Sequence, residues 1–164
     1  MSKLWKNKDI PHKGWTLISV IDVREDGQSE EDTYYENCMM CGKEKIRYVH
    51  IVTHSNIDEE FRVGCVCSEH MSNDYINPKR LEQKLRNRTN RRNNWIRKEW
   101  KRSPKGNYYI NFEEHHLLIY RDKITNKYKV KIGETFGKKI FDTIEKAKVA
   151  VFNGVEYFKE KGNW

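Results

Sequence analysis

No run of this 164-residue chain approaches the roughly 18 consecutive apolar residues that a membrane-spanning helix needs. The opening Met1-Ser2-Lys3-Leu4-Trp5-Lys6-Asn7-Lys8 also lacks the apolar stretch of a secretory signal, so a cytoplasmic protein with no membrane partner is expected. Apolar residues are scarce throughout, at 37%. Each core must then be small, and something besides hydrophobic burial has to help close it. The Walker loop, the G-x-S-x-G elbow and the dinucleotide fingerprint are all missing. Their absence removes the chemistries those loops support, and a non-enzymatic role is the first expectation.

Cysteine is rare as well, and its placement is informative. The only four fall in one stretch, as Cys38-x-x-Cys41 and Cys65-x-Cys67, with His50, His54 and His70 as further nitrogen donors nearby. Two close pairs of thiols some two dozen residues apart match what tetrahedral zinc requires, and reduced, metal-bound thiols suit the cytoplasm better than disulfides. A structural Zn²⁺ on Cys38, Cys41, Cys65 and Cys67 is therefore expected. Cys-x-Cys is the less common ligand spacing, which leaves open a set that includes His70, or one in which His50 or His54 is a ligand. Between the pairs, Ile46 to Thr53 is β-branched and aromatic, and Phe61-Arg62-Val63 follows the polar Ser55-Asn56-Ile57-Asp58 turn, which predicts a hairpin. Ser68-Glu69-His70-Met71 then reads as the beginning of a helix.

Acidic residues are almost absent from one segment. Lys79 to Arg102 holds eleven Lys and Arg against Glu82 and Glu99, a net +9 within a chain of net +8. Glycine and proline are missing from Lys79 to about Lys101, where one long helix is predicted, started by Pro78. Its apolar Leu81, Leu85, Trp95, Ile96 and Trp100 share a side with Arg88 and Arg92, so this helix is not ordinary core along its length. Two acids cannot lace eleven bases into i,i+4 pairs. Guanidinium forks mixed with asparagine amides suit phosphate clamping and base-edge contacts. Arg86, Arg88, Arg91, Arg92, Arg97, Lys98, Lys101 and Arg102 are the candidate nucleic-acid contacts, and DNA and RNA both remain open as partners. The segment Arg24 to Asn37 carries six acids and reads as a surface loop that can neutralise the basic helix from within the chain.

Three parts follow from these signals. Residues 1–75 hold a loose arm, a strand from Trp15 to Val23 and the zinc unit. Residues 76–103 hold the basic helix. Residues 104–164 begin after the breaker Ser103-Pro104-Lys105-Gly106 and scan as three strands, Asn107 to Phe112, His116 to Arg121 and Lys127 to Ile132, with Phe136 to Phe141 as a possible fourth. A final amphipathic helix carries Ile144, Ala147, Val151, Val155 and Phe158 on one side. Asp142 or Thr143 caps it, with Glu145 placed to complete a capping box on Asp142. The expected fold class is α+β: a zinc unit, a long basic helix, and a small three-stranded antiparallel sheet with a C-terminal helix.

The order of knuckle, hairpin and ligands at a helix start resembles a treble-clef zinc finger. Lys127-Tyr-Lys-Val-Lys-Ile-Gly133 followed by Phe136 to Phe152 resembles the strands-then-helix pattern of AP2-type and integrase-arm DNA-binding domains, and with the basic helix in front, that of double-stranded-RNA-binding domains. Nearly the whole chain, including Asp9 to Trp15 and Ile46 to His50, resembles small bacterial and phage proteins without an assigned activity. The whole-chain resemblance implies a family without an activity; the charge pattern leads to the expectation of a zinc-stabilised protein that binds nucleic acid through the basic helix, assisted by Lys127, Lys129, Lys131, Lys138 and Lys139. The rival expectation is an interaction adaptor, or a host- or phage-modulating factor, that docks an acidic protein. A third is a metal-dependent nuclease of the His-Asn-His type, weakly suggested by His50 and His54 beside the zinc pairs.

Overall fold

The computed structural model describes residues 4–164, in two units, Met1–Arg88 and Thr89–Trp164. Among the described residues there are three α-helices and two antiparallel sheets, an α+β chain as expected. Among the described residues no helix is long and apolar enough to cross a membrane.

The first unit is built on a sheet of order β1-β2-β3, from β1 (Thr16–Asp22), β2 (Tyr48–His54) and β3 (Ile57–Val63). The anticipated strand and hairpin are both present. β2 is the central strand and the most buried, which its Tyr48-Val49-His50-Ile51-Val52 run permits. A hydrogen bond from the Asn56 N–H to His54 Nδ1 (3.0 Å) tightens the hairpin turn. Trp15, Met40, Val49, Val52, Phe61, Val63 and Met71 fill the core. Helix α1 (Cys65–Ser72) begins three residues earlier than Ser68, immediately after β3, and ends on Asn73 in the left-handed region (φ 52). The Asp74 carboxylate then accepts the N–H groups of Ile76 and Asn77 and fixes the start of α2 (Asn77–Ile96).

The arm expected to be loose over residues 1–14 is docked from Leu4 onward; Met1, Ser2 and Lys3 lie outside the described residues. The Leu4 N–H bonds the Met40 carbonyl (3.1 Å), and Leu4, Trp5 and Ile10 pack on the core. The Trp15 indole N–H donates to the Pro11 carbonyl (2.8 Å). These apolar side chains find a small core that needs covering, which the polar composition of the arm concealed.

In the second unit, β4 (Lys101–Arg102), β5 (Tyr108–Phe112), β6 (His115–Arg121), β7 (Tyr128–Ile132) and β8 (Thr135–Phe136) form a sheet in sequence order, and α3 (Ile144–Glu160) packs on one face. The three expected strands are its centre. Two-residue strands flank them, making five, and the fourth strand expected over Phe136 to Phe141 reduces to β8 plus an isolated bridge between Phe141 and Tyr128. Gly137 allows this close return: its N–H bonds the Val130 carbonyl (2.8 Å), and a Cβ there would stand 3.0 Å from Val130 Cγ2. Thr143, not Asp142, caps α3, accepting the Lys146 N–H at 3.2 Å, while Asp142 pairs with Lys127 (2.9 Å) in place of the capping box.

The basic helix ends at Ile96 rather than Lys101. Trp95 is 3% exposed, meets Phe112 edge-on at 5.1 Å and donates its indole N–H to the Lys148 carbonyl (3.0 Å). Trp100 meets Trp95 edge-on (6.0 Å). Serving one core with both indoles requires the chain to turn between them, and the Lys98 N–H closes that turn on the Trp95 carbonyl (3.1 Å). Lys101 and Arg102 are thereby released into β4.

Candidate metal centre and basic sheet face

The structure brings Cys38, Cys41 and Cys67 together, with sulfurs all within 4.8 Å of one another, and none of the four cysteines is in a disulfide. Local backbone geometry explains the first pair. The Cys38 N–H bonds the Lys43 carbonyl and the Gly42 N–H bonds the Cys38 carbonyl, both at 2.8 Å, with Gly42 at φ 80, a conformation that favours glycine. The Gly64 N–H points at Cys38 Sγ from 3.4 Å. A hydrogen bond from Cys67 is the largest influence on the Cys38 thiol. With backbone N–H groups of Cys41, Gly64 and Met40, it outweighs burial and brings Cys38 down to about 5. The hydrogen bond with Cys38, followed by burial, pushes the Cys67 thiol up. A thiolate is the form in which cysteine binds metal, and this cluster can hold a metal ion.

Cys65 stands apart from them. Residues two apart on an α-helix point about 200° away from each other, so Cys65 and Cys67, both in the first turn of α1, face different sides. Cys65 gathers with His50 of β2 and Glu82 of α2, again with ligand atoms within 4.8 Å, a second group that can hold an ion. His50 is fully buried; its Nε2 lies 3.3 Å from the Pro78 carbonyl oxygen and 4.0 Å from Glu82 Oε2. Burial, then the carboxylates of Glu82 and Glu69, push the Cys65 thiol up to about 12. A cleft of about 350 Å³ is lined by residues of both groups. Glu82 was visible in the sequence only as one of two acids in a basic segment, with no spacing to tie it to a cysteine.

The other histidines proposed as donors lie elsewhere. His70 Nδ1 meets the Tyr75 hydroxyl (3.0 Å), and the His70 ring stands edge-on to Trp5 (6.4 Å). His54 accepts the Asn56 N–H and packs on Trp15 (5.3 Å).

The basic residues sort into two sets. Arg86 pairs with Glu82 (2.9 Å) and lies over the Tyr48 ring (4.3 Å). Arg88 meets Asp26 of the acidic loop (3.2 Å), a single ion pair between that loop and the helix. Arg91 forks onto Glu156 (3.1 and 2.8 Å), and Arg92 is buried at 8%. Arg97 is exposed, Lys98 lies over Phe112 (5.5 Å), Lys101 is exposed on β4, and Arg102 stacks on Tyr108 (4.5 Å). The positive charge therefore belongs to the second unit. From Thr89 onward eighteen Lys and Arg face nine Asp and Glu, a net +9, whereas the first unit balances fourteen against fifteen, a net −1.

That unit also has a sheet face that carries two of the expected lysines, Lys129 and Lys131, among aromatic residues that the sequence did not point to. Tyr108, Ile110, Leu117, Ile119, Val130 and Ile132 belong to the core cluster that includes α3. Strand alternation places the intervening residues on the opposite face. Pairing then aligns Lys101, Tyr109, Leu118, Lys131 and Phe136 in one row across all five strands. Asn111 and His116 form a neighbouring pair, Tyr120 and Lys129 another. The Tyr109 and His116 rings lie 5.4 Å apart, and Lys131 sits over Phe136 (4.8 Å), itself 60% exposed. The signal was present as the alternation of β5, β6 and β7, but it becomes a surface only when register is known.

Comparison with protein-family models, with curated proteins and with solved structures finds no match to this chain.

Proposed function

We propose that this chain is a zinc-stabilised nucleic-acid-binding protein whose contact surface is the uncovered face of the second unit's sheet. The observation that carries this reading is the cross-strand row Lys101, Tyr109, Leu118, Lys131 and Phe136, with Tyr120 and Lys129 beside it, in a unit of net charge +9. Aromatic rings on a sheet accept unstacked bases, and lysines among them neutralise phosphates. Arg97, Lys98 and Arg102 border the start of this sheet and extend the basic surface. Arg86, Arg88 and Arg91 hold carboxylates and Arg92 is buried; on the sheet, Lys129 and Lys131 also hold carboxylates, Asp122 (3.4 Å) and Glu134 (3.7 Å), which phosphates would have to displace.

Zinc supplies stability rather than chemistry in this reading. Cys38, Cys41 and Cys67 would hold it, and their setting of knuckle, hairpin and first helical turn supports the treble-clef resemblance. A thiolate already favoured at Cys38 fits such an ion. When bound, the ion joins the knuckle to α1 across a core too small to be held by apolar burial alone.

The test is binding of the full chain to labelled single- and double-stranded DNA and RNA across a salt series. A log-log salt slope of several units is expected, and the double variant Lys101→Ala/Lys131→Ala should lower that slope by about 2. Tyr109→Ala and Tyr120→Ala should each weaken binding by about 1–3 kcal/mol if bases stack there. Undiminished affinity in all three variants would remove the sheet face from consideration, and absence of binding at physiological salt would remove the function.

A further inference from the structure

We propose that His50, Cys65 and Glu82 form a second transition-metal site, distinct from the Cys38–Cys41–Cys67 centre, suited to Zn²⁺ or a similar borderline divalent ion. The three donors come from three elements, β2, the first residue of α1 and the second turn of α2, and their ligand atoms lie within 4.8 Å of one another. A thiol, an imidazole and a carboxylate that converge in this way can all be satisfied by one cation. Apolar residues would fill the same space at lower cost, because buried polar groups must each find a partner.

His50 states the need most directly. Its side chain is fully buried, and Nδ1 has no hydrogen-bond partner among the described residues. Nε2 lies 3.3 Å from the Pro78 carbonyl oxygen and 4.0 Å from Glu82 Oε2, so in the neutral ring one nitrogen carries the proton and the other offers a lone pair. A backbone carbonyl is a usual partner for the second nitrogen of a metal-bound imidazole. Glu82 has its two oxygens divided: Oε1 is held by Arg86 at 2.9 Å, while Oε2 lies 4.0 Å from His50 Nε2. Glu69 adds a further oxygen, its Oε1 being 3.8 Å from Cys65 Sγ, while its Oε2 lies 3.2 Å from Lys79 Nζ. One sulfur, one nitrogen and one or two oxygens are a donor set that zinc accepts and that magnesium or calcium does not.

The divergence of Cys65 and Cys67 on α1 separates two sites that a four-thiolate reading would merge. Each cysteine of the second pair then serves a different ion. The new site joins α2 to β2 and α1 within the first unit, so its loading stabilises the first turns of α2 without requiring nucleic acid.

Native mass spectrometry of the full-length chain, stripped of metal and reloaded with zinc alone, tests this. Two zinc equivalents are expected in the wild type and one each in Cys65→Ser, His50→Gln and Glu82→Gln; Cys41→Ser should also retain one. Cobalt loading adds an independent readout, since Cys41→Ser should remove most of the thiolate-to-cobalt charge-transfer absorption and Cys65→Ser only a minor part. Glu82→Gln keeps the size of the side chain and its hydrogen-bonding ability, so a folded variant is expected, checked by circular dichroism. A wild type that binds a single equivalent, lost equally in Cys41→Ser and Cys65→Ser, would show one shared four-thiolate site and overturn the proposal. Retention of two equivalents in folded Glu82→Gln would overturn it as well. Neither result would bear on the nucleic-acid reading, which is measured on the other unit.

Discussion

Glu113 illustrates how much one exposed side chain can organise. It sits with Glu114 at the turn between β5 and β6, both at positive φ (48 and 67), where a sequence reading would look for asparagine or glycine. Its carboxylate accepts Lys159 Nζ (3.0 Å) and the Trp164 indole N–H (2.7 Å), holding the end of the chain against the hairpin. Those donors, Lys159 first, keep its pKa below the ordinary carboxylate value. The folded pKa is thus lower than the unfolded one. Its stabilising effect is complete above the unfolded value of about 4.3 and disappears as pH falls through the lower folded value. The indole N–H resonance of Trp164 should therefore shift on acidification in the wild type, and in Glu113→Gln its chemical shift should change already at neutral pH. A variant spectrum identical to wild type at pH 7 would show that the carboxylate does not hold the indole. The same scale explains why the metal ligands were only partly readable. The Cys38-x-x-Cys41 pair is given by local spacing, but which of Cys65 and Cys67 joins it depends on α1 beginning at Cys65 itself, and no residue type announces that boundary.

At the scale of elements, α2 shows where periodicity is insufficient. Its apolar stripe predicted a single helix through Trp100, and the helix is real, but it stops at Ile96 because Trp95 and Trp100 enter the same core. Aromatic anchors at helical spacing are compatible with both outcomes, so only packing decides. Trp95→Ala should cost about 3–5 kcal/mol, the range for removing a large buried aromatic. Thermal or urea unfolding should show that loss in the second unit, with the zinc content of the protein unchanged. A loss below 1 kcal/mol would mean that this indole is not an anchor. The central strands β5, β6 and β7 and helix α3 were legible because their patterns are long and regular. β4 and β8 were not, since a two-residue strand has no period, and its pairing depends on neighbours distant in sequence.

The molecule as a whole divides its means of stability as it divides its charge. The first unit, near neutral, has a core containing Cys38 and Cys67 and gathers both candidate ion-binding groups; the second, at net +9, contains no cysteine and rests on Trp95, Phe152 and the packing of α3 on β6 and β7. Metal that binds only the folded form raises the stability of the unit that holds it, by an amount set by its concentration relative to its affinity. It contributes nothing directly to a unit that lacks ligands. Calorimetry of the zinc-loaded chain should therefore resolve two transitions, and excess chelator should lower one by many degrees while leaving the other within a degree or two. Polyphosphate or short oligonucleotides should raise the chelator-insensitive transition, because binding neutralises a unit that otherwise repels itself, and added salt should weaken that rise. If chelator lowers both transitions together, the zinc clusters support the entire molecule and the two units do not unfold independently. If polyanions raise the chelator-sensitive transition instead, the binding surface lies on the first unit, with Arg80, Lys84 and Arg86 of α2 the first residues to test.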